Sequence, residues 1–299
     1  MVTRIYPARP AIDGLPTGNA AAVGTIRVKP GVRVSKVTLK YVDTVANAID
    51  MLALVGDITC FKNSTEFRLH TAAELDYLNR QNGSQYAYQK FTNPNTGLVE
   101  QYLTIWFFEP WRIAAVDRES GAAVISANQG WNENGLEVQV KLLQAIPATG
   151  SFQQRAYVDF ALQDLTTLQS LKTVKRLNIA AAGTEFDYES LPNVGRIQGI
   201  NLKNPSGAGV IKSVTFRSDG VTYLDDVTRG EAFDNLTGLN IIPPPIGNVA
   251  AGQFAFSWAF DDTDPVQSSL AARTPWLKIK TDVAASGNVV ALIESVNVI

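Results

Sequence analysis

One cysteine, Cys60, and one histidine, His70, are all that 299 residues contain of either type. A lone cysteine excludes an intrachain disulfide framework, and the pair together excludes a Cys/His zinc site. Cys60 falls in a strand-like run and reads as a small buried hydrophobe, and the composition suits synthesis in a reducing cytoplasm. No basic run or tail is present. The 26 Lys and Arg against 28 Asp and Glu leave a formal charge of −2. A protein that wraps nucleic acid needs clustered cations to displace counterions, so direct nucleic-acid binding is not expected. Charged residues make up only 18% of the chain, against ~25% in ordinary soluble domains. That shortage points either to surface buried against other subunits or to a large β core. No apolar run approaches ~18 residues, so no segment is expected to span a membrane. Pro7 and Pro10 interrupt the N-terminus where the apolar core of a signal peptide would lie, so none is expected. The Gly-x-Ser-x-Gly elbow and the Gly-x-x-x-x-Gly-Lys phosphate loop are absent as well.

What the chain does have is a repeat. Ile58 to Leu69 leads into Thr71-Ala72-Ala73-Glu74-Leu75, and Val214 to Leu224 leads into Thr228-Arg229-Gly230-Glu231. Each copy reads as strand, polar turn, strand, then a capping box that opens a short helix. The two box glutamates, Glu74 and Glu231, lie 157 positions apart, which on this chain length means two domains of one fold. The order continues downstream. Leu103 to Phe108 is followed by Pro110-Trp111, and Phe254 to Phe260 precedes Pro275-Trp276. A closing strand then follows Asn134-Gly135 in one half and Gly287-Asn288 in the other.

Strand signals dominate. Val37, Leu39 and Tyr41 alternate with polar neighbours, Leu136 to Leu142 alternates over seven residues, and Leu277 to Lys280 does so briefly. One-sided alternation is the pattern of antiparallel sheets with one wet face, so the fold class is all-β with short helices in loops. Thr71 to about Gln81 and Thr228 to Leu236 are the expected helices, with a further turn or two between Asp43 and Leu54. Residues 1–22, with Arg4, Pro7, Arg9, Pro10, Gly14 and Pro16, show neither period. They read either as a loose tail or as an extended arm reaching a neighbouring subunit or an underlying surface. The first domain is expected over 23–146 and the second over 147–299, joined at Ala145 to Ser151. Gln81–Val99 and Ile241–Gly252 read as long surface loops.

Few residues suggest chemistry. Asp261, Asp262 and Asp264 could ligate Ca²⁺ through hard oxygens, but they lack the Gly and Glu spacing of an EF-hand loop, and a solvated loop is the preferred reading. No other cofactor is expected. Asp225 and Asp226 with Glu231 resemble the acid/base carboxylates of a glycosidase, yet Glu231 already has a capping role. A Ser/His/Asp triad would have to use His70, which sits beside the cap Thr71 and reads as a surface or capping side chain. Trp106, Trp111, Trp258 and Trp276 lie in or beside apolar strands and read as packing rather than as a sugar platform, while Trp131 lies in a polar run. Catalysis is not expected.

The run from Asp57 to Asn79, and Leu103 to Arg112 ending in Glu109-Pro110-Trp111-Arg112, resembles the N-terminal jelly roll of corticovirus-type major capsid proteins. These belong to the double jelly-roll lineage of tailless icosahedral viruses with an internal membrane. The likeness is best over residues 25–143, and the second half follows through the internal repeat. The resemblance implies two tandem eight-stranded jelly rolls and a major coat protein, located in the virion shell after synthesis in the host. It further implies a homotrimer presenting six barrels as a pseudo-hexagonal tile. Its partners would be other copies of itself, neighbouring trimers, penton proteins and minor membrane proteins. Arg4 and Arg9 would then lie on lipid headgroups. The alternative carried alongside is a carbohydrate-binding or host-recognition module built from two β-sandwiches.

Overall fold

The computed structural model describes residues 5–7, 12–13, 22–28, 33–62, 64–81, 84–107, 123–124, 136–159, 170–189, 191, 196–238, 253–258, 270–271 and 273–298. The described residues divide into two compact units, one up to Asp159 and the other from Ser170 on.

The first unit holds β1 (Ile5–Pro7), β2 (Ile12–Asp13), β3 (Val23–Val28), β4 (Arg33–Thr44), α1 (Met51–Leu54), β5 (Val55–Lys62), β6 (Thr65–Thr71), α2 (Ala72–Gln81), β7 (Gln89–Thr92), β8 (Leu98–Trp106), β9 (Ala123–Val124), β10 (Leu136–Leu142) and β11 (Ser151–Asp159). One sheet runs β1-β11-β4-β8-β7, with β2 also on β11 and β9 on β4. The other runs β6-β5-β10-β3. Alternation sets the inward face. Val37, Leu39 and Tyr41 of β4 and Leu136, Val138, Val140 and Leu142 of β10 are all buried, as their period of two predicts.

The second unit holds β12 (Ser170–Ala180), β13 (Gly183–Tyr188), β14 (Arg196–Lys203), β15 (Ile211–Ser218), β16 (Val221–Thr228), α3 (Arg229–Gly238), β17 (Phe254–Ser257), β18 (Leu270–Ala271), β19 (Trp276–Ala285) and β20 (Asn288–Val298). Its sheets run β17-β14-β20-β12 and β13-β19-β15-β16, with short β18 beside β14. The core draws on both: Ile200 and Leu202 of β14 and Ala291 and Ile293 of β20 meet Val214 and Phe216 of β15 and Leu277 and Ile279 of β19. Between β15 and β16 the chain reverses through Asp219 and Gly220, both at positive φ (53° and 79°). That is the primed turn whose twist matches paired strands, and an Asp-Gly pair suits it.

Numbering the eight principal strands of each unit in chain order, with β1 and β2 counted as one, gives the same arrangement twice. The sheets are 1-8-3-6 and 2-7-4-5 in both units. The helices α2 and α3 each lie between the fifth and sixth strands. This is the jelly-roll order, in which strands far apart in sequence become neighbours. Two eight-stranded jelly rolls with few short helices therefore make up the chain.

The correspondence places the domain junction later than Ala145–Ser151. Gly150 N–H donates to Pro147 O at 2.8 Å, and the chain turns back into β11, which pairs with β4 of its own unit from Ser151 opposite Val42 to Asp159 opposite Arg33. Gly150 is tightly seated: an added Cβ would lie 2.9 Å from Ile146 and 3.0 Å from the Asp43 carboxylate. The eighth strand, not a linker, begins here. Thus β10 matches β19, and β20 matches β11. The pairing of Leu136 with Val289 as equivalent closing strands, drawn above from their Asn/Gly turns, is one strand out of step. Likewise Ile5–Pro7 and Ile12–Asp13, within the stretch expected as an arm, pair with β11 and complete the first sheet.

Candidate functional site

The two capped corners carry the densest set of sequence-predicted residues. At the end of β6, Thr71 N–H donates to the Glu74 carboxylate at 2.8 Å and Glu74 N–H donates to Thr71 Oγ1 at 3.3 Å. At the end of β16, Thr228 N–H donates to Glu231 at 2.7 Å and Glu231 N–H donates to Thr228 Oγ1 at 3.3 Å. Both boxes close as reciprocal pairs, so helix N–H groups that no carbonyl reaches are satisfied. The Thr228 backbone N–H and hydroxyl hold the Glu231 carboxyl below its ordinary value. Replacing Thr228 by alanine is expected to destabilise the protein by about 1 kcal/mol, read as a lower urea midpoint at unchanged slope.

Asp226 is also committed to the fold. It sits at φ 52° in a bulge of β16, accepts from Ser213 Oγ at 2.6 Å and pairs with Lys280 at 2.9 Å. Its own N–H donates to Thr215 Oγ1 at 3.0 Å. The Ser213 hydroxyl first, then Lys280, holds its carboxyl below the ordinary range. A glycosidase needs one carboxyl raised to act as acid beside one that stays ionised. Asp226 and Glu231 are both shifted towards the ionised form, so neither is held as the proton donor that such a pair needs.

In the first unit, sequence reasoning missed a group of polar side chains at one end of the barrel. Asp43 on β4 is fully buried. It accepts from Tyr41 Oη at 2.7 Å, Thr149 Oγ1 at 2.6 Å and Thr44 N–H at 2.7 Å. Burial alone would raise its carboxyl, but the bonds from Thr149, Tyr41 and Thr44 together outweigh that and leave it lowered. Nearby, Gln101 donates to Ile49 O at 2.7 Å and accepts from Met51 N–H at 2.7 Å and from the Tyr88 hydroxyl. This amide seats the turn of α1, whose first N–H groups are also met by Asp50. Glu100 on β8 accepts from Tyr102 Oη and, at 2.7 Å, from Asn93, and pairs with Lys40 at 2.9 Å. Tyr102 first, then Asn93 and Lys40, hold its carboxyl at about 2. These residues were legible only as isolated polar positions in strands, since nothing in a linear pattern says which loops they tie.

The aromatic positions pack as expected where they are described. Trp258 meets Phe216 at 5.6 Å and Phe256 at 5.1 Å between ring centroids, and Arg217 lies 5.0 Å from the Trp276 ring. Trp106 meets Tyr86 edge-on at 5.5 Å. Lys36 Nζ lies 5.0 Å from the Trp106 ring and 4.6 Å from Tyr157, so an internal cation already occupies that aromatic face. Cys60 is buried, and burial pushes its thiol up to about 12. His70 departs from expectation: it is 1% exposed, neither a surface residue nor a cap. Its strand register places it opposite Ile58, which is opposite Val140, and both of these point into the core. Arg4, Arg9, Trp111, Trp131, Asp261, Asp262 and Asp264 lie outside the described residues. Among the described residues no group of three or more His, Cys, Asp or Glu is placed to hold a metal ion, and no helix is long and apolar enough to cross a membrane.

No protein-family model and no curated protein sequence matches the chain. Solved structures do. The major capsid protein P2 of bacteriophage PM2 aligns over 99% of this chain and 98% of its own, at 14% identity and a TM-score of 0.69. The STIV major capsid protein aligns over 99% and 97%, at 9% identity and a TM-score of 0.65. The Faustovirus major capsid protein aligns over 99% and 90%, at 8% identity and a TM-score of 0.59. The fold of this chain is the double jelly roll of those proteins, matched from end to end.

Proposed function

We propose that this chain is a major capsid protein. Three copies form a tile of six barrels, and the tiles close an icosahedral shell over an internal membrane. The observation that supports this best is the duplication itself: two jelly rolls of one strand order in a single chain, aligned along nearly the whole length of capsid proteins. The physical reasoning is one of outline. A trimer has three-fold symmetry, whereas a tile in a hexagonal lattice needs six nearly equal sides, and two similar barrels per chain supply them. Closed symmetric assembly is the usual route to such a unit. The near-neutral charge, 26 cations against 28 anions, agrees with a coat that leaves phosphate neutralisation to something else. On this reading the role is structural. Its partners are further copies, penton proteins and minor membrane proteins, and Arg4 and Arg9 contact lipid headgroups.

Contacts within the tile should be of obligate type, above ~2,000 Å². The purified protein is therefore expected to elute at micromolar concentration as a species near 97 kDa by light scattering, three times its 32.4 kDa chain mass, with pseudo-hexagonal outlines in negative stain. A monomer of 32 kDa with no such outlines would overturn the reading.

A further inference from the structure

Among the described buried polar groups of the first unit, His70 is one that no capping role explains. It lies on the inward face of β6, opposite Ile58, and the residue two before it on the same strand is Arg68, itself only 6% exposed. Arg68 donates to Trp106 O at 2.5 Å, and its guanidinium carbon lies 5.0 Å from the Phe107 ring. From β5, Ile58 and Cys60 pair with His70 and Arg68. From α2, which packs on β5 and β6, two carboxylates are buried, but both are engaged. Glu74 is on Thr71 N–H, and Asp76 is on Arg80 and Tyr88 N–H. The fixed charge that acts on the imidazole is therefore the like charge of Arg68.

We propose that His70 is an acid-sensitive latch on the corner built from β5, β6 and α2: mild acid opens that corner, because the interior offers the imidazole no place to hold a second proton. Burial first, and Arg68 second, lower the imidazole from 6.5 to about 3 in the folded chain. The unfolded chain therefore takes up a proton below about pH 6.5 that the folded one refuses. Stability is full above that value and falls as the pH drops, by about tenfold in the folding equilibrium constant per pH unit, until the folded value is reached. The chain supplies its own control. Counting back from the caps, Thr71 and Thr228, the position equivalent to His70 is Val227, which packs against the second core. The second unit performs the same corner with an apolar residue and carries no histidine at all. The inference stands whether or not the chain builds a capsid.

Because the chain has one histidine, its imidazole Cε1 proton gives one NMR signal that no other histidine can be confused with. In the folded full-length protein it is expected to hold a constant neutral-form shift from pH 7.5 to 5. Titration near 6.5 would overturn the proposal. In parallel, the stability of the wild type against urea is expected to fall about fiftyfold in equilibrium constant between pH 6.5 and 4.5. Hydrogen exchange, corrected for intrinsic rate, should open first in residues 65–81. His70→Val, the residue taken from the second unit, is expected to remove that pH dependence. If the variant folds and keeps the wild-type slope, the proposal fails. If it does not fold, the imidazole titration of the wild type decides alone.

Discussion

Asp43→Ala is expected to destabilise the protein by about 3–5 kcal/mol, among the largest effects of any single polar substitution. The carboxylate is fully buried and accepts three hydrogen bonds, from Tyr41, Thr149 and Thr44. Removing it strands the buried Tyr41 phenol and the Thr44 backbone N–H, each of which costs about 1–3 kcal/mol when unpaired, although such costs do not add fully; Thr149 is exposed and can turn to solvent. Tyr41 is itself fully buried, so bulk solvent cannot replace the lost acceptor. Asp43→Asn keeps the size and one acceptor oxygen but loses the charge, so it should fall between alanine and wild type. Urea midpoints of the three proteins at pH 7 check the order, and equal midpoints would show that the bonds contribute nothing net. The pH window separates this group from His70. Asp43 titrates below its ordinary 3.8 in the folded state, so the unfolded chain binds a proton first. Its contribution is full above that value and is lost only below it, as the pH falls towards the folded value. His70 acts from about 6.5 downward, two to three pH units earlier.

Asp43 also shows where the sequence could be read and where it could not. Capping boxes are local: Thr71 with Glu74 and Thr228 with Glu231 are three residues apart, so their chemistry is visible in the chain, and both close in the structure. The strands with strict alternation, β4, β10 and β19, were legible for the same reason, and with the family resemblance they were enough to give two jelly rolls. The first and eighth strands were not. Ile5–Pro7 and Ile12–Asp13 are too short for a period and are flanked by Pro7 and Pro10, so they read as an arm. Their strand character comes from pairing with β11, 140 or more residues away. The turn before β11 contains Pro147 and Gly150 and so resembles a linker. What makes it a turn is the clamp between Asp43 and Thr149, a contact of sequence separation 106. His70 was misread because alternation shows which residues are apolar, not which polar residue shares the buried face. The β-bulge between Cys60 and Phe61, which shifts the register of β6, leaves no mark in composition.

Phe216→Ala is expected to cost the second unit about 3–5 kcal/mol, the usual range for deleting a buried aromatic ring. Phe216 is fully buried in the C-terminal half of β15. It stands opposite Leu224 of β16 and Leu277 of β19, and its ring meets Trp258 at 5.6 Å and Tyr223 at 6.2 Å. Truncation removes those contacts from both sheets at once, and the hydrogen-bonded ladders on either side limit how far the walls can close on the space left behind. The control is Phe91→Ala in the first unit. Phe91 also stacks on a ring, Tyr102, at 5.9 Å, but it is 46% exposed, so about 1 kcal/mol or less is expected. Since small domains have only about 5–15 kcal/mol in total, Phe216→Ala should consume a large share of it without altering any exposed side chain. If the chain forms the proposed 97 kDa species, its loss in this variant, alongside its retention in Phe91→Ala, would tie assembly to the integrity of the second barrel. If the proposed tile forms and Phe216→Ala assembles as well as wild type despite the lower urea midpoint, assembly stabilises the barrel rather than merely using it, and the difference in midpoint between monomeric and assembled protein measures by how much.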